Sequence, residues 1–179
     1  MSGESVSTEA GSARGSEPRL VVVCGLPGAG KTTVSEHAVD TLDAELFRTD
    51  VVRKELFPEP EYTPEEVRAV YDELLARAAA ALRDGDPVVV DGTFKERELR
   101  GDARRTAERV GVPFDLVKVE CEEDVVRERI RARSGDESDA DFAIHQQFRE
   151  QFESIAGEYA LVDNSGTLEE TLGQVNDVF

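Results

Sequence analysis

The amino-acid sequence predicts an α/β fold, a doubly wound five-stranded parallel sheet with helices on both faces. The first observation is a set of short apolar runs, which are typical of strands buried on both faces. The second is that these runs alternate with longer segments of helical periodicity, which indicates a parallel sheet. The third is a glycine-rich loop that joins the first run to the first helix in "VVVCGLPGAGKTTV".

In the first half of the chain, residues that cap or break secondary structure separate three predicted strands from three predicted helices. Prolines between residues 58 and 64 end the second helix. Thr63 is predicted to cap the third helix with Glu66 as its capping-box partner, and Gly85 to end it. The predicted elements are a strand at 20–24, a helix at 31–42, a strand at 44–47, a helix at 51–57, a helix between Thr63 and Gly85, and a strand at 87–91.

The second half repeats the alternation with more charge. Gly111 ends a strongly charged helix, and Thr167 with Glu170 forms a second capping-box pair. The predicted elements are a helix at 95–110, a strand at 114–120, an arginine-rich helix at 122–133, a polar loop at 134–141, a helix at 140–157, a strand at 160–162 and a last helix that runs to Val178.

The charge of the chain is extreme, with a formal net charge of −18 over 179 residues and only four lysines. Such self-repulsion is tolerated where salt screens it, so the composition predicts a halophilic protein. The same charge disfavours a nucleic-acid partner. The length predicts one domain, residues 19–179, after a disordered acidic tail at residues 1–18.

The chain shows no sign of export or membrane insertion at the sequence level. The tail is too polar for a signal peptide, and no stretch approaches a membrane span. Cys24 and Cys121 match neither a metal-ligand spacing nor a disulfide framework, which favours free thiols and a cytoplasmic location. The oligomeric state cannot be read from these patterns.

The loop after the first strand matches the phosphate-loop pattern G-x4-G-K-[ST]. Glycines let backbone N–H groups approach a phosphate closely, and the following helix adds the positive end of its dipole. Lys31 is predicted to reach the β- and γ-phosphates of ATP, and Thr32 to hold Mg²⁺. The residues predicted to bind the nucleotide are Gly25, Pro27, Gly28, Ala29, Gly30, Lys31, Thr32 and Thr33.

Carboxylates and arginines follow the other strands at the edge where ligands collect in such sheets. Asp91 ends the apolar strand "VVVD" and is predicted to lie near Mg²⁺, directly or through water. Asp50 follows the second strand, and Arg53 lies one helical turn later. Asp50 could accept the proton of an attacking hydroxyl, while Arg53 could hold an anionic group. The alternative is that Asp50 only caps helix 51–57.

The arginine-rich helix carries "RERIRAR", in which Arg129 and Arg133 share one helix face. In a chain this acidic, the cluster favours a helical lid whose arginines clamp the transferring phosphoryl group. The alternative is that these arginines are solvated and balance the neighbouring carboxylates.

These motifs together resemble the small P-loop kinases of the "AAA domain" type, related to polynucleotide kinases and zeta toxins. The resemblance covers about residues 19–162 and rests on "GLPGAGKTT", "RTDVVRKELF", "VVVDGTF", "RERIRAR" with "SDAD", and "LVDNSG". It implies the strand order 2-3-1-4-5, a general-base role for Asp50, acceptor binding by Arg53, lid roles for Arg129 and Arg133, and a loop at 163–166 near the adenine.

The function predicted from the sequence is an ATP- and Mg²⁺-dependent kinase that phosphorylates a hydroxyl group of a small molecule. Two alternatives stay open. One is a kinase acting on a polynucleotide 5′-hydroxyl or a sugar nucleotide. The other is a nucleotide-sensing protein without acceptor chemistry.

Overall fold

A computed structural model describes residues 16–179 and shows five parallel strands in one sheet. The strand order is β2-β3-β1-β4-β5, which confirms the predicted order 2-3-1-4-5. Most of the predicted tail, residues 1–15, lies outside the described residues. The strands are β1 (Leu20–Gly25), β2 (Glu45–Arg48), β3 (Val88–Asp91), β4 (Phe114–Glu120) and β5 (Ala160–Asp163).

Helices connect the strands and cover both faces of the sheet, as predicted. The hydrophobic core is accordingly split into a cluster on each side of the sheet, with alternate residues of β1 in each. The helices are α1 (Lys31–Leu42), α2 (Thr49–Leu56), α3 (Pro64–Arg83), α4 (Arg97–Val110), α5 (Glu123–Ser134), α6 (Ser138–Gln151) and α7 (Leu168–Val178).

The central strand β1 positions the phosphate loop. All six residues of β1 are buried, and β1 pairs with β3 on one side and β4 on the other. Burial on both faces explains why its sequence is apolar without alternation. The loop that follows β1 is therefore held at the middle of the carboxyl edge of the sheet.

Helix α2 begins two residues earlier than the sequence predicts. It starts at Thr49, so Asp50 lies inside the first turn and Arg48 occupies the N-cap position. The interpretation of Asp50 as the cap of helix 51–57 is therefore wrong. A carboxylate in the first turn still stabilises the helix, because it faces the positive end of the dipole.

The polar stretch at 134–141 is more regular than the predicted loop. It forms a 3₁₀ turn at Gly135–Glu137 and then the first residues of α6. Helix α6 also ends at Gln151 rather than near residue 157. The chain leaves the helix there because the Glu153 N–H bonds to the Lys95 carbonyl 2.8 Å away, which ties it to the β3–α4 loop.

The two predicted capping boxes differ. At α7 the Thr167 side chain and the Glu170 side chain each accept from the other residue's backbone N–H, so this box is complete. At α3 the Thr63 hydroxyl accepts from the Glu66 N–H, but the Glu66 carboxylate turns to the N–H groups of Glu61 and Tyr62.

No helix among residues 16–179 combines the length and the apolar character needed to cross a membrane.

Candidate active site

The phosphate loop connects β1 to α1 in a glycine-dependent conformation. Gly28 has φ 85° and Gly30, the N-cap residue of α1, has φ 90°, both in the left-handed region that favours glycine. A Cβ on Gly30 would lie 2.0 Å from Asn164 Nδ2, and one on Gly25 would lie 2.6 Å from the Val119 carbonyl oxygen. The loop is thus closely surrounded, and side chains at these glycines would displace it.

Lys31 folds back over this loop. Its Nζ donates to the Leu26 carbonyl at 3.1 Å. Burial lowers the pKa of Lys31, and the Asp91 carboxylate opposes that shift. A partly desolvated ammonium beside the glycine turn is a strong attachment point for phosphate oxygens, because few water molecules compete for it.

Asp91 ends β3 on the face that α1 covers. The Asp91 carboxylate is buried and accepts from Ser35 Oγ at 2.8 Å. Burial raises the pKa of Asp91, while Lys31 lowers it. Since β1 and β3 are adjacent, Asp91 stands beside the first turn of α1, where Thr32 and Thr33 lie.

Thr32 is contacted by an arginine that the sequence analysis did not identify. Arg48 ends β2 in register with Asp91, and a terminal nitrogen of Arg48 donates to Thr32 Oγ1 at 2.8 Å. Arg48 Nε lies 3.6 Å from Asp50 Oδ1 and is buried without a hydrogen-bond partner in the part of the chain that the structure describes. Arg48 is the first residue of "RTDVVRKELF", but the sequence analysis gave roles only to Asp50 and Arg53 of that motif; its place at the carboxyl edge of β2 is the signal that could have suggested it.

The residues present fit a magnesium nucleotide. Within residues 16–179 no group of three or more His, Cys, Asp or Glu side chains could hold a metal ion alone. Mg²⁺ is usually held by one or two protein oxygens together with substrate phosphates. Thr32 Oγ1 and the Asp91 carboxylate, next to a glycine cradle and Lys31, supply such a set.

The predicted acceptor residues lie on α2. The Asp50 side chain is 61% exposed, so its carboxylate can meet a substrate from solvent. Arg53 is partly buried, and its guanidinium lies over the Tyr62 ring at 5.0 Å. Its Nε is buried and has no hydrogen-bond partner within the described residues. Tyr62 has a positive φ of 56°, which fixes the turn before α3.

The loop between β3 and α4 packs against the start of α2 and is held in place by Tyr71 of α3. The Phe94 N–H donates to the Tyr71 hydroxyl at 3.0 Å, and the two rings meet edge to face at 4.8 Å. A Cβ on Gly92 would lie 2.7 Å from Thr49 Cγ2. Burial raises the pKa of Tyr71 to about 12, so its hydroxyl stays protonated.

Helices α5 and α6 form a hairpin against the phosphate loop. Val126, Ile130 and Phe142 make a small core of their own, and a Cβ on Gly28 would lie 3.1 Å from Val126 and 3.2 Å from Ile130. His145 on α6 is buried, and its Nδ1 lies 2.6 Å from the Pro27 carbonyl. Because a carbonyl only accepts, Nδ1 must carry the proton.

The two arginines of the predicted lid lie one turn apart on α5 but have different surroundings. Arg129 donates to the Asn164 carbonyl at 2.6 Å and lies 3.4 Å from the Gly166 carbonyl, so it contacts the loop after β5. Arg133 is exposed and lines a cavity of about 340 Å³ together with Pro27 and Gly28 of the phosphate loop. Neither role predicted for them is tested by this placement.

Asn164 joins the phosphate loop to β5 and α7. Its Nδ2 donates to the Ala29 carbonyl at 2.8 Å, and its Oδ1 accepts from Thr171 Oγ1 at 2.8 Å. Sequence reasoning singled out the loop at 163–166 but not this contact. His145, one of only two histidines in the chain, also escaped notice because it belongs to no motif.

A larger cavity, of about 630 Å³, opens beside the phosphate loop at the carboxyl ends of β1 and β4. It lies where the connections of a doubly wound sheet diverge, a common place for ligands. Leu26, Lys118, Glu120, His145 and Arg149 are among its lining residues.

Sequence relatives leave the activity of this chain open. An uncharacterized protein of Mycobacterium tuberculosis is 31% identical over 174 residues, which cover 90% of this chain and 34% of that protein. The chain thus spans about a third of that relative. A probable adenylyl-sulfate kinase of Aeropyrum pernix is 29% identical over 114 residues, covering 60% of this chain and 62% of that protein.

Solved structures share the fold. A gluconokinase from Sinorhizobium meliloti aligns with a TM-score of 0.65 and 24% identity over 91% of this chain and 94% of that chain. The APS kinase of Mycobacterium tuberculosis, in complex with AMPPNP and APS, aligns with a TM-score of 0.71 and 18% identity over 91% and 98%. Residues 20–155 match the AAA domain family. Because residues 20–155 make up well over half of the 179-residue chain, the chain belongs to the AAA domain family.

Proposed function

We propose that the protein is an ATP- and Mg²⁺-dependent kinase that phosphorylates a hydroxyl group of a small molecule. One observation carries the proposal. The glycine loop with Lys31 and Thr32 and the carboxylates of Asp91 and Asp50 lie along one edge of the sheet. Arg48 stands between them, in register with Asp91, hydrogen-bonded to Thr32 and 3.6 Å from Asp50. A nucleotide-binding end and a proton-accepting end are therefore adjacent, as phosphoryl transfer requires.

The nucleotide end binds and orients the triphosphate. Backbone N–H groups of the loop and the N-terminus of α1 face the phosphates, and Lys31 neutralises negative charge there. Mg²⁺, when held by Thr32 and Asp91, supplies charge neutralisation on the phosphate oxygens. Asn164 and His145 hold the loop in shape through the carbonyls of Ala29 and Pro27.

The acceptor end handles the proton. As the acceptor oxygen bonds to the γ-phosphorus and the bond to the β-phosphate oxygen breaks, the hydroxyl proton passes to the Asp50 carboxylate. Arg53 binds an anionic group of the acceptor, and Tyr62 stacks on its guanidinium. The products are a phosphate monoester and ADP.

Kinases among the similar proteins support a small acceptor. The gluconokinase and the adenylyl-sulfate kinases named above act on small molecules by their names. A panel of sugars, sugar acids, nucleosides, adenylyl sulfate, antibiotics and oligonucleotides with labelled ATP would identify the acceptor class. Transfer to oligonucleotides alone would favour the polynucleotide kinase, and nucleotide binding without transfer to any hydroxyl would favour the sensor.

Asp50→Asn tests the reaction directly once an acceptor is known. The amide keeps the shape of the side chain but cannot take the proton, so transfer should fall about 10²–10⁴-fold while ATP affinity holds. Glu55→Gln, the same chemical change on the same helix, is the matched control and should retain activity. Normal transfer by Asp50→Asn would remove the base from the proposal.

A further inference from the structure

The Arg48 side chain makes one hydrogen bond and has a second N–H group without an acceptor among the described residues. It donates to Thr32 Oγ1 at 2.8 Å, yet its buried Nε–H has no hydrogen-bond partner among residues 16–179 and lies 3.6 Å from Asp50 Oδ1. A guanidinium is a planar fork whose N–H groups move together. A shift of about 0.7 Å toward Asp50 would bring that distance to an ordinary hydrogen bond.

The bond to Thr32 conflicts with metal binding at the same oxygen. A hydroxyl oxygen has two lone pairs, and the guanidinium uses one of them. It also places a full positive charge beside the position that a divalent cation would take, in a partly buried site where charges are weakly screened. Arg48 and the metal ion therefore repel each other across Thr32.

Arg48 has a reason to occupy that place when no metal is bound. It stands in register with the buried Asp91 carboxylate, whose negative charge it offsets. When a metal ion takes over that role, Arg48 loses its acceptor on Thr32. The Asp50 carboxylate is the charged partner next to it.

We infer that Arg48 and Mg²⁺ exclude each other at Thr32, and that metal binding transfers the Arg48 guanidinium from Thr32 to Asp50. Arg48 is then a positioning residue that raises the metal concentration the site requires and aligns the base only after the metal is in place. This inference rests on the proposed function, because it needs a metal–nucleotide site at Thr32.

The test measures the Mg²⁺ concentration that gives half of the metal-dependent gain in affinity for a fluorescent, non-hydrolysable ATP analogue. In Arg48→Ala the competing charge is gone, so this midpoint should fall about tenfold or more, as the loss of one charged hydrogen bond predicts. Arg48→Gln, close in length but neutral, should shift it in the same direction. In a transfer assay both variants should lower kcat more than they raise KM for the acceptor.

Arg53→Ala is the matched control for the metal midpoint. Arg53 lies on α2, the helix whose N-cap position Arg48 occupies, and its Nε is also buried without a hydrogen-bond partner among residues 16–179, but Arg53 contacts Tyr62 rather than Thr32. Its midpoint should equal that of the wild type. An unchanged or higher Mg²⁺ midpoint in the folded Arg48→Ala and Arg48→Gln proteins would overturn this inference but leave the proposed function standing. A wild type whose nucleotide affinity ignores Mg²⁺ would overturn the proposed function as well.

Discussion

Asp91 carries a buried negative charge where β3 meets α1. Its only direct hydrogen-bond donor within residues 16–179 is the Ser35 hydroxyl, and burial raises its pKa. A carboxyl group whose folded pKa exceeds its unfolded value favours the folded state when protonated. The free energy of unfolding therefore falls as pH rises through these two pKa values and stays reduced above them.

Asp91→Asn should for this reason stabilise the protein without nucleotide. At neutral pH the amide removes the buried charge and can still accept from Ser35, so the melting temperature should rise, by ~2–4 °C for each kcal/mol gained. The gain should shrink at low pH, where Asp91 itself is protonated. Added Mg²⁺ and ATP should stabilise the variant less than the wild type, because a metal ligand is lost.

Asp115→Asn is the control and should have the opposite effect. Asp115 forms an ion pair with Arg19 at the start of the sheet, so removing its charge should lower the melting temperature. A lower melting temperature for nucleotide-free Asp91→Asn would mean that its charge stabilises the fold, and would contradict the trade-off between stability and metal binding.

At the level of elements, the strands and the phosphate loop could be predicted from the sequence, because each depends on a pattern of neighbouring residues. A strand buried on both faces needs an unbroken apolar run, as in β1, and the turn after it needs glycines for its backbone conformation. Both requirements appear directly as patterns in the sequence. Side-chain contacts between elements that are distant in the sequence could not be predicted in this way. Arg48, His145 and Asn164 reach the loop or α1 from β2, α6 and the end of β5. Arg48 and Asn164 lie inside quoted motifs, but nothing local in the sequence says which distant group each side chain contacts, and His145 belongs to no motif.

The stretch at 134–141 shows the same limit for secondary structure. Its composition predicts a loop, but Asp139 and Asp141 fall in the first turn of α6, where carboxylates complement the helix dipole. Ser134 Oγ also donates to Asp141 Oδ2 at 2.6 Å and ties the ends of α5 and α6 together. Residues that look like loop formers by composition therefore stabilise a helix start.

Two arginines of α5, Arg129 and Arg133, are predicted to affect different steps of the reaction. Arg133→Ala should lower kcat about 10–100-fold with a small change in KM for ATP, because an arginine beside the phosphate loop meets charge that develops during transfer. Arg129→Ala should chiefly raise KM for ATP, because Arg129 holds the loop at 164–166. Steady-state kinetics with varied ATP separates the two patterns.

Arg131→Ala, on the same helix and exposed, is the control and should behave like the wild type. If Arg133→Ala retains the wild-type kcat, Arg133 is a solvated surface residue and the lid hypothesis loses its main support.

On the scale of the whole molecule, charge dominates. The 39 Asp and Glu residues outnumber the 21 Lys and Arg residues, so even if every basic residue formed a pair such as Arg77–Glu55 or Arg149–Glu123, a net charge of −18 would remain on a small folded body. Exposed pairs of this kind contribute little, about 0–1 kcal/mol each. The remaining repulsion weakens the compact state wherever salt does not screen it.

Stability should therefore rise with salt. Raising KCl from about 0.1 M to about 1 M shortens the Debye length from ~10 Å to ~3 Å, so most of the repulsion between neighbouring surface carboxylates disappears in that interval. The melting temperature should climb steeply up to about 1 M KCl and more slowly beyond it. Sucrose at equal osmolality is the control, because it stabilises by exclusion from the surface without screening charge. A melting temperature that stays flat in KCl, or that follows sucrose, would show that the acidic surface is tolerated without salt and would remove the halophilic interpretation.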